Sequence, residues 1–469
     1  MNSKLTVSFG TSGARGLVKD FTDELCCTLT TAFLRVMQQR YAVSKVAIAI
    51  DRRPSSPTIA AACAAAAEAM GIEVSHYGII PTPALALQAM NDRVPAIMIT
   101  GSHIPFDRNG IKFYSPDGEI TKTDEQAILD AVQTPLTVPQ PQTVPISSTA
   151  ADGYRRRYLD WFIGRPLAGW RVGLYEHSSA GRDLNREVLA GLGAEVISLG
   201  RSEVFVPIDT EAVREEDRVQ GLSWAREHRL DALLSTDGDG DRPLLADERG
   251  QWLRGDIVGL LCARELGIEA LAVPVSCNTA IEQCGAFREV QRTRIGSPYV
   301  IEGMQALTSH YQRVAGFEAN GGFLLGSDLH SDVGVLSALP TRDALLPALT
   351  LMVAAARRGC RLSGLAVDLP DRHTASDRLQ NFPTERSRAL LDQWQTQPEQ
   401  MLQALDIAGM PAHIDTTDGL RITLDSGEIV HLRPSGNAPE LRCYVEAADE
   451  ERAGRLVTHC LQRLEAYPH

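Results

Sequence analysis

Three stretches of this chain share one grammar: an apolar strand, a helix, a second strand, then a third strand running into a polar, glycine-containing loop. The first comprises Lys45-Val46-Ala47-Ile48-Ala49-Ile50, an alanine-rich helix from about Pro57 to Met70 closed by Gly71, Ile72-Glu73-Val74-Ser75, and Ala96-Ile97-Met98-Ile99 entering Thr100-Gly101-Ser102-His103. Alanine favours the helix and Gly71 suits its C-terminal cap. The second runs Arg171 to Tyr175, a helix over Asp183 to Leu192, Ala194 to Ile197, and Ala232-Leu233-Leu234 entering Asp237-Gly238-Asp239-Gly240-Asp241. The third runs Leu271 to Val275, a short helix near Thr279 to Cys284, Glu289 to Arg292, and Arg313-Val314-Ala315 entering Gly316 to Gly322. Apolar strands alternating with helices predict sheets covered on both faces, with ligands gathering at the strand carboxyl ends. All three third strands deliver their loops to that side.

The last hundred or so residues read differently. Leu420 to Leu424, a turn at Asp425-Ser426-Gly427, and Glu428 to Leu432 predict an antiparallel hairpin. Another strand, Leu441 to Val445, and an amphipathic helix capped near Asp449 follow. The fold class is therefore α/β: three related α/β domains with mixed sheets covered by helices, plus a smaller α+β C-terminal domain. A stretch rich in Pro, Thr, Gln and Ser from Thr134 to Ala150 reads as a linker into a helix at Tyr154 to Tyr158. The expected domains are 1–150, 151–250, 251–365 and 366–469. A length of 469 residues exceeds what one hydrophobic core supports, in keeping with that division.

A formal net charge of −13 argues against nucleic acid or an anionic membrane as partner, because a phosphate-tracking surface needs a basic excess. Small phosphorylated ligands need only a local cluster of Arg and Lys. The nine cysteines are scattered and contain no CxxC pair, which predicts reduced thiols in a cytoplasmic protein. No apolar run has the length of a membrane span, and Met1 to Thr6 lacks the apolar core of a signal peptide.

Asp237, Asp239 and Asp241 stand two apart on a glycine-articulated loop, which lets alternate carboxylates converge on one hard cation such as Mg²⁺ or Ca²⁺. A solvated acidic turn is the plainer alternative. An EF-hand fits poorly: counting from Asp237 puts Arg242 where that loop needs glycine, although Glu248 falls at the twelfth position. Ser102 becomes a nucleophile only with a metal, a base or prior phosphorylation, and His103 and Lys112 are candidate bases or charge partners. Phe9 to Gly16 offers hydroxyls and Arg15 to an anion, but lacks the GK[ST] ending of a Walker A loop. Glu318 and Asn320 among glycines can hydrogen-bond sugar hydroxyls. Arg433, Ser435, Gly436 and Asn437, with Arg442 following, combine guanidinium groups, a hydroxyl and turn amides suited to a phosphate. Each of these loops also has a plain reading as a turn.

Taken together and in order, the motifs resemble those of the α-D-phosphohexomutases, in particular the bacterial phosphomannomutase/phosphoglucomutase branch. FGTSGARG (9–16) is similar to the family's TSGxRG, TGSHIPFDRNGIKFY (100–114) to its phosphoserine loop, and DGDGDR (237–242) to its metal loop. GFEANGG (316–322) falls at the sugar-recognition loop, and RPSGNAPELR (433–442) is similar to the phosphate loop RPSGTEPKLR. The resemblance implies that Ser102 is phosphorylated and completes a Mg²⁺ shell with Asp237, Asp239 and Asp241, supported by Arg242. It implies that Arg15, His103 and Lys112 surround the reacting phosphate, with Lys112 a candidate proton carrier. It assigns Glu318 to sugar hydroxyls, and Arg433, Ser435, Gly436, Asn437 and Arg442 to the nonreacting phosphate. Gly101 and Ile104 replace Ala and Asn in the serine loop, and Asn437-Ala438 replaces Thr-Glu in the phosphate loop. In the sugar loop Ala319, Asn320 and Gly321 follow Glu318 where many relatives carry a serine and a histidine, which bears on sugar preference.

The implied activity is a phosphomannomutase working through a phosphoserine and a hexose 1,6-bisphosphate, acting also on glucose phosphates. A monomer or homodimer is expected, with movement of the last domain to enclose the bisphosphate. The alternatives are a phosphoglucomutase or phosphoglucosamine mutase, a metal-dependent phosphatase that passes the phosphoryl group to water, and a noncatalytic sugar-phosphate-binding protein.

Overall fold

A computed structural model describes residues 7–9, 13–133, 137–141, 143–435 and 439–467. In the first sheet Ala96–Ile99 and Glu73–Ile79 flank Lys45–Ile50 in parallel. Arg108–Ser115 then returns antiparallel to Ala96–Ile99, and Gly13–Leu17 returns in turn against Arg108–Ser115. The second sheet repeats this order: Arg171–Tyr175 lies between Glu195–Leu199 and Ala232–Thr236 in parallel, with Pro243–Ala246 antiparallel outside. In the third, Ala270–Pro274 lies between Glu289–Thr293 and Val314–Phe317, and Phe323–Leu325 and Leu339–Asp343 continue antiparallel. In each repeat a returning strand therefore follows the third strand and the loop lies between the two. The first of these, Arg108–Ser115, places Lys112 on a buried strand.

The fourth sheet is wholly antiparallel, in the order His373–Leu379, Leu441–Ala447, Ile429–Pro434, Leu420–Leu424, Pro411–Asp415. Its closing helix, Glu450–Ala466, starts where the Asp449 carboxylate accepts the Arg452 backbone N–H at 2.7 Å. Trp394, Leu432, Cys443 and Leu464 build a core for this unit alone. By contrast, one apolar cluster runs from Ala47 and Met98 on the first sheet through Leu174 and Leu234 on the second to Val273 and Phe317 on the third. Shared packing of this kind fixes the three loops relative to one another. The helix Thr149–Trp161 adds a polar tie, with the Tyr154 hydroxyl donating to Asp343 Oδ1 at 2.6 Å and Tyr158 donating to the other oxygen. Among the described residues no helix is long and apolar enough to cross a membrane, and all nine cysteines are free thiols.

Two buried histidines make stability depend on pH. His177 and His431 each donate from Nε2 to a backbone carbonyl, Thr236 at 2.8 Å and Asp418 at 2.6 Å, and burial pushes each down to about 4. Their pKa is lower folded than unfolded, so both are neutral in both states above about pH 6.5, and stability is complete there. As pH falls from about 6.5 towards 4 the unfolded chain gains protons that the native one refuses, at a cost of up to about 3 kcal/mol each. Denaturant unfolding is expected to shift to lower midpoints between pH 7 and 5, less so in His431→Gln. A midpoint that stays level over that range contradicts this assignment.

Candidate active site

The serine loop is held from behind. Arg53 is 1% exposed, and its guanidinium donates to the carbonyls of Pro105 (2.7 Å), Arg108 (2.9 Å), Ser102 (3.0 Å) and Ile104 (2.6 Å). Its Nε reaches Asp51 at 3.2 Å, and the Phe205 ring lies 3.9 Å from its carbon centre. Asp51 also accepts the Gly101 N–H at 3.3 Å. A Cβ at position 101 would lie 2.6 Å from the Arg53 guanidinium carbon, which accounts for glycine at this position. With its neighbours tied down, Ser102 is kept at φ 53°, a left-handed conformation that costs a non-glycine residue of order 1–3 kcal/mol. Neither Asp51 nor Arg53 was expected from sequence; the available signal was charge directly after the apolar strand Lys45–Ile50.

The aspartate loop meets Ser102 face to face. A Cβ on Gly238 would sit 2.6 Å from the Ser102 carbonyl oxygen, so glycine permits this backbone approach. Asp237, Asp239 and Asp241 are fully buried and each offers an oxygen within 4.8 Å of the others. The Ser102 hydroxyl donates to Asp237 Oδ2 at 2.6 Å, while Asp237 Oδ1 accepts the backbone N–H groups of Asp241 (3.2 Å) and Arg242 (3.3 Å). Asp239 Oδ2 accepts from Lys112 Nζ at 2.6 Å and Thr82 Oγ1 at 2.7 Å. Asp241 Oδ2 accepts from Lys112 at 3.2 Å and Arg342 Nε at 3.0 Å. The second oxygens, Asp239 Oδ1 and Asp241 Oδ1, are buried without a hydrogen-bond partner. Buried orphan carboxylate oxygens are costly, and a hard divalent cation satisfies them, so the donor set fits such an ion. The flanks are the antiparallel strands Ala232–Thr236 and Pro243–Ala246, which removes the EF-hand and, with the burial, the solvated turn.

The electrostatics agree with the geometry. Burial and the charges of Asp239 and Asp241 push Asp237 well above the usual carboxylate range. Burial would also raise Asp239, but the Lys112 charge together with hydrogen bonds from Lys112, Asp237 and Thr82 holds that carboxyl below its ordinary value. Burial and then Arg242 push His103 down to about 3. Its Nδ1 accepts from Arg242 Nη1 at 2.9 Å and lies 3.3 Å from Ser102 Oγ, so the ring is neutral and the serine proton points to Asp237. Burial and the neighbouring Arg242 lower Arg15 to about 10, with Asp239 and Asp241 acting the other way. Ser102, His103, Lys112, Arg15, Arg242 and the three aspartates thus converge from two sheets.

The sugar-recognition candidate enters through a residue the sequence did not single out. Glu318 Oε2 accepts from Arg342 Nη1 at 3.0 Å, and Arg342 also holds Asp241. Asn320 turns its amide oxygen into its own loop, accepting the Gly322 N–H at 2.9 Å, and its carbonyl accepts from Thr210 Oγ1 at 2.9 Å. A Cβ on Gly255 would sit 2.4 Å from the Gly321 nitrogen, so the start of the helix Gly255–Glu265 presses on this loop. Across the cleft, Arg433 Nε lies 2.8 Å from Asp418, whose carboxylate also accepts the Ile295 N–H at 2.9 Å from the third unit. Ser435 donates its N–H to the Glu440 carbonyl at 2.8 Å, and Arg442 lies 3.6 Å from Glu440. Burial and then the nearby Asp209 push the Glu211 carboxyl up, against the charges of Arg254, Arg442 and Arg242. Gly436 and Asn437 lie outside the described residues.

Known proteins extend the comparison along the chain. The phosphoglucomutase/phosphomannomutase family models match at residues 6–137 (alpha/beta/alpha domain I), 254–373 (alpha/beta/alpha domain III) and 384–461 (C-terminal domain). A phosphomannomutase of Salmonella muenchen is 54% identical over 99% of this chain and 97% of its own. One from Sinorhizobium fredii is 44% identical over 97% of this chain and 98% of its own. A crystal structure from Thermus thermophilus, described as that of a candidate phosphomannomutase, superposes with a TM-score of 0.76 at 22% identity, covering 98% of this chain and 99% of that one.

Proposed function

Because the chain belongs to the phosphoglucomutase/phosphomannomutase family of α-D-phosphohexomutases, we propose that it interconverts mannose 6-phosphate and mannose 1-phosphate and accepts glucose phosphates as well. The observation that carries the reading is the sealed, left-handed Ser102 with its hydroxyl 2.6 Å from a buried Asp237. A serine at a strand carboxyl end, fixed against a triad with orphan oxygens, is arranged for phosphoryl transfer rather than for folding.

In this reading Ser102 carries the phosphoryl group. Its bond to phosphorus breaks as the free hydroxyl of the hexose phosphate bonds to the same phosphorus, giving a hexose 1,6-bisphosphate. The bisphosphate turns around and returns its other phosphoryl group to Ser102. Asp237, Asp239, Asp241 and the phosphorylated Ser102 would hold Mg²⁺, which would supply positive charge to offset that of the phosphoryl oxygens. Arg15 and Arg242 bring two further cations to the same place, and the neutral His103 fixes Arg242. Lys112 gives a proton to the Ser102 oxygen as its bond to phosphorus breaks and takes one back from the sugar hydroxyl, so no net proton leaves the site. Glu318 receives sugar hydroxyls, helped by Asn320, while Arg433, Ser435, Gly436, Asn437 and Arg442 hold the phosphate that is not reacting. The divisions 1–150, 151–250, 251–365 and 366–469 then act as four domains, each delivering one loop.

Purified protein given mannose 1-phosphate, Mg²⁺ and a trace of hexose 1,6-bisphosphate is expected to form mannose 6-phosphate with no accumulation of free phosphate. Turnover on mannose 1-phosphate should exceed that on glucosamine 1-phosphate assayed in parallel. Free phosphate without mannose 6-phosphate makes the protein a phosphatase, and a preference for glucosamine 1-phosphate overturns the choice of sugar.

A further inference from the structure

Arg342 lies at the end of the third sheet, on Leu339–Asp343, and is 4% exposed. Its guanidinium joins two loops from different sheets: Nε donates to Asp241 Oδ2 at 3.0 Å and Nη1 to Glu318 Oε2 at 3.0 Å. A third bond, from Nη1 to Ser297 Oγ at 3.1 Å, ties it to Glu119 on the first unit, because Ser297 donates to Glu119 Oε2 at 2.6 Å and Thr341 Oγ1 donates to Oε1 at 2.9 Å. Burial alone would lower the proton affinity of this guanidinium, but Asp241, Glu119 and Glu318 hold it above its ordinary value.

The sugar loop is built around this side chain. A Cβ on Gly322 would lie 2.6 Å from Arg342 Cδ, so glycine there leaves the space that the arginine stem fills. On the aspartate side, Arg342 and Lys112 both occupy Oδ2 of Asp241, which leaves Oδ1 without a hydrogen bond, with the Arg242 Nε 3.7 Å away. One planar fork thereby fixes which oxygen of Asp241 is left for a cation and which oxygen of Glu318 is left for a sugar. A lysine carries all its donors on one nitrogen, so at this position it cannot reproduce the separate Nε and Nη1 that meet Asp241 and Glu318.

We propose that Arg342 is a positioning residue that sets Asp241 for the cation and Glu318 for the sugar together, so that losing its fork weakens both sites. The inference rests on the reading of Asp241 and Glu318 given above, and the test separates the two. In a Ser102→Ala background, which removes turnover, Mn²⁺ alone and mannose 1-phosphate alone are titrated by calorimetry. Arg342→Lys is expected to raise both dissociation constants about tenfold, the loss of one well-placed charge-assisted bond at each site. Gly322→Ala, which crowds the arginine stem and keeps the charge, should raise both in the same direction and covers the case in which Arg342→Lys does not fold. In the Ser102 protein, Arg342→Lys should also narrow the ratio of kcat/KM between mannose and glucose 1-phosphates. If the parent binds neither probe, the functional reading fails and this inference falls with it. If the parent binds both, and the folded variants bind both within twofold or lose one affinity only, the joint positioning role is overturned while the functional reading stands.

Discussion

Ser102→Ala is expected to lower turnover at least a thousandfold while leaving the protein folded. Removing a nucleophile that acts as one unit with its surroundings costs on the order of a thousandfold to a millionfold in characterised enzymes. Here the hydroxyl is the only atom deleted. The loop keeps its conformation because Arg53 holds it through the carbonyls of Ser102, Ile104, Pro105 and Arg108, none of which depends on the side chain. What the fold loses is the 2.6 Å bond to Asp237, and that carboxylate retains two backbone N–H donors on its other oxygen. A stability loss of about 1 kcal/mol follows from one net hydrogen bond. Circular dichroism and denaturant unfolding beside the mutase assay check this pair of expectations, and activity within tenfold of the parent contradicts the assignment of Ser102.

The second large effect is expected at Asp239. Its Oδ2 serves Lys112 and Thr82 while its Oδ1 has no partner, so both oxygens are committed if a cation binds. An asparagine can present only one oxygen. Its amide group must then face either the Lys112 ammonium or the cation, and repels whichever it meets. Asp239→Asn should therefore reduce kcat by roughly a hundredfold to ten-thousandfold, comparable to losing one preorganised charge-stabilising group and the metal it helps to hold. Two further readouts separate loss of metal from loss of fold. Chelation should abolish parent activity and added Mg²⁺ restore it, with no such response in the variant. The parent should also gain stability from Mg²⁺ by mass action, about 2.7 kcal/mol at a hundred times the dissociation constant, and the variant should gain nothing at the same concentration. An Asp239→Asn protein that keeps both responses removes Asp239 from the cation site.

Much of this site was legible in the sequence for a physical reason. A loop between a buried third strand and its return has nowhere to go but the carboxyl edge of the sheet, so Ser102, Asp237 and Glu318 could be placed on one side from strand patterning alone. A donor set that fits a hard cation was also legible, in carboxylates two apart among glycines. Partners distant in sequence could not be read. Arg53 reaches residues 49 to 55 positions away, and Arg342 reaches Asp241 across 101 positions. Each arginine is unremarkable locally and acquires meaning only once the sheets pack. The same applies to His103, which reads as a candidate base until Arg242, 139 residues on, is found donating to its Nδ1. The strand Arg108–Ser115 was missed because it opens Arg-Asn-Gly and carries Lys112, a polar start that reads as loop although all but its first residue are buried.

Two of the helices not named in the sequence reading share a cause. Leu345–Arg358 is buried from Leu345 through Ala355, so it lacks the alternation of apolar and polar faces that marks a surface helix. Thr82–Asp92 is buried over most of its length and has Pro81 at its cap and Pro83 in its first turn, a pattern that suits a helix start but reads locally as a break. Packing between the first three units decided both, and that packing also brings the three loops to one place.

The central claim is that Ser102 is the phosphoryl carrier, and transfer to that one residue tests it most directly. Protein freed of phosphate is incubated with Mg²⁺ and hexose 1,6-bisphosphate labelled in its phosphoryl groups, then digested and mapped by mass spectrometry. The account expects one labelled phosphoryl group per chain, on Ser102, lost again when excess mannose 1-phosphate is added, with the label recovered in hexose phosphate. No label on Ser102, or label there that is released only as free phosphate, contradicts it.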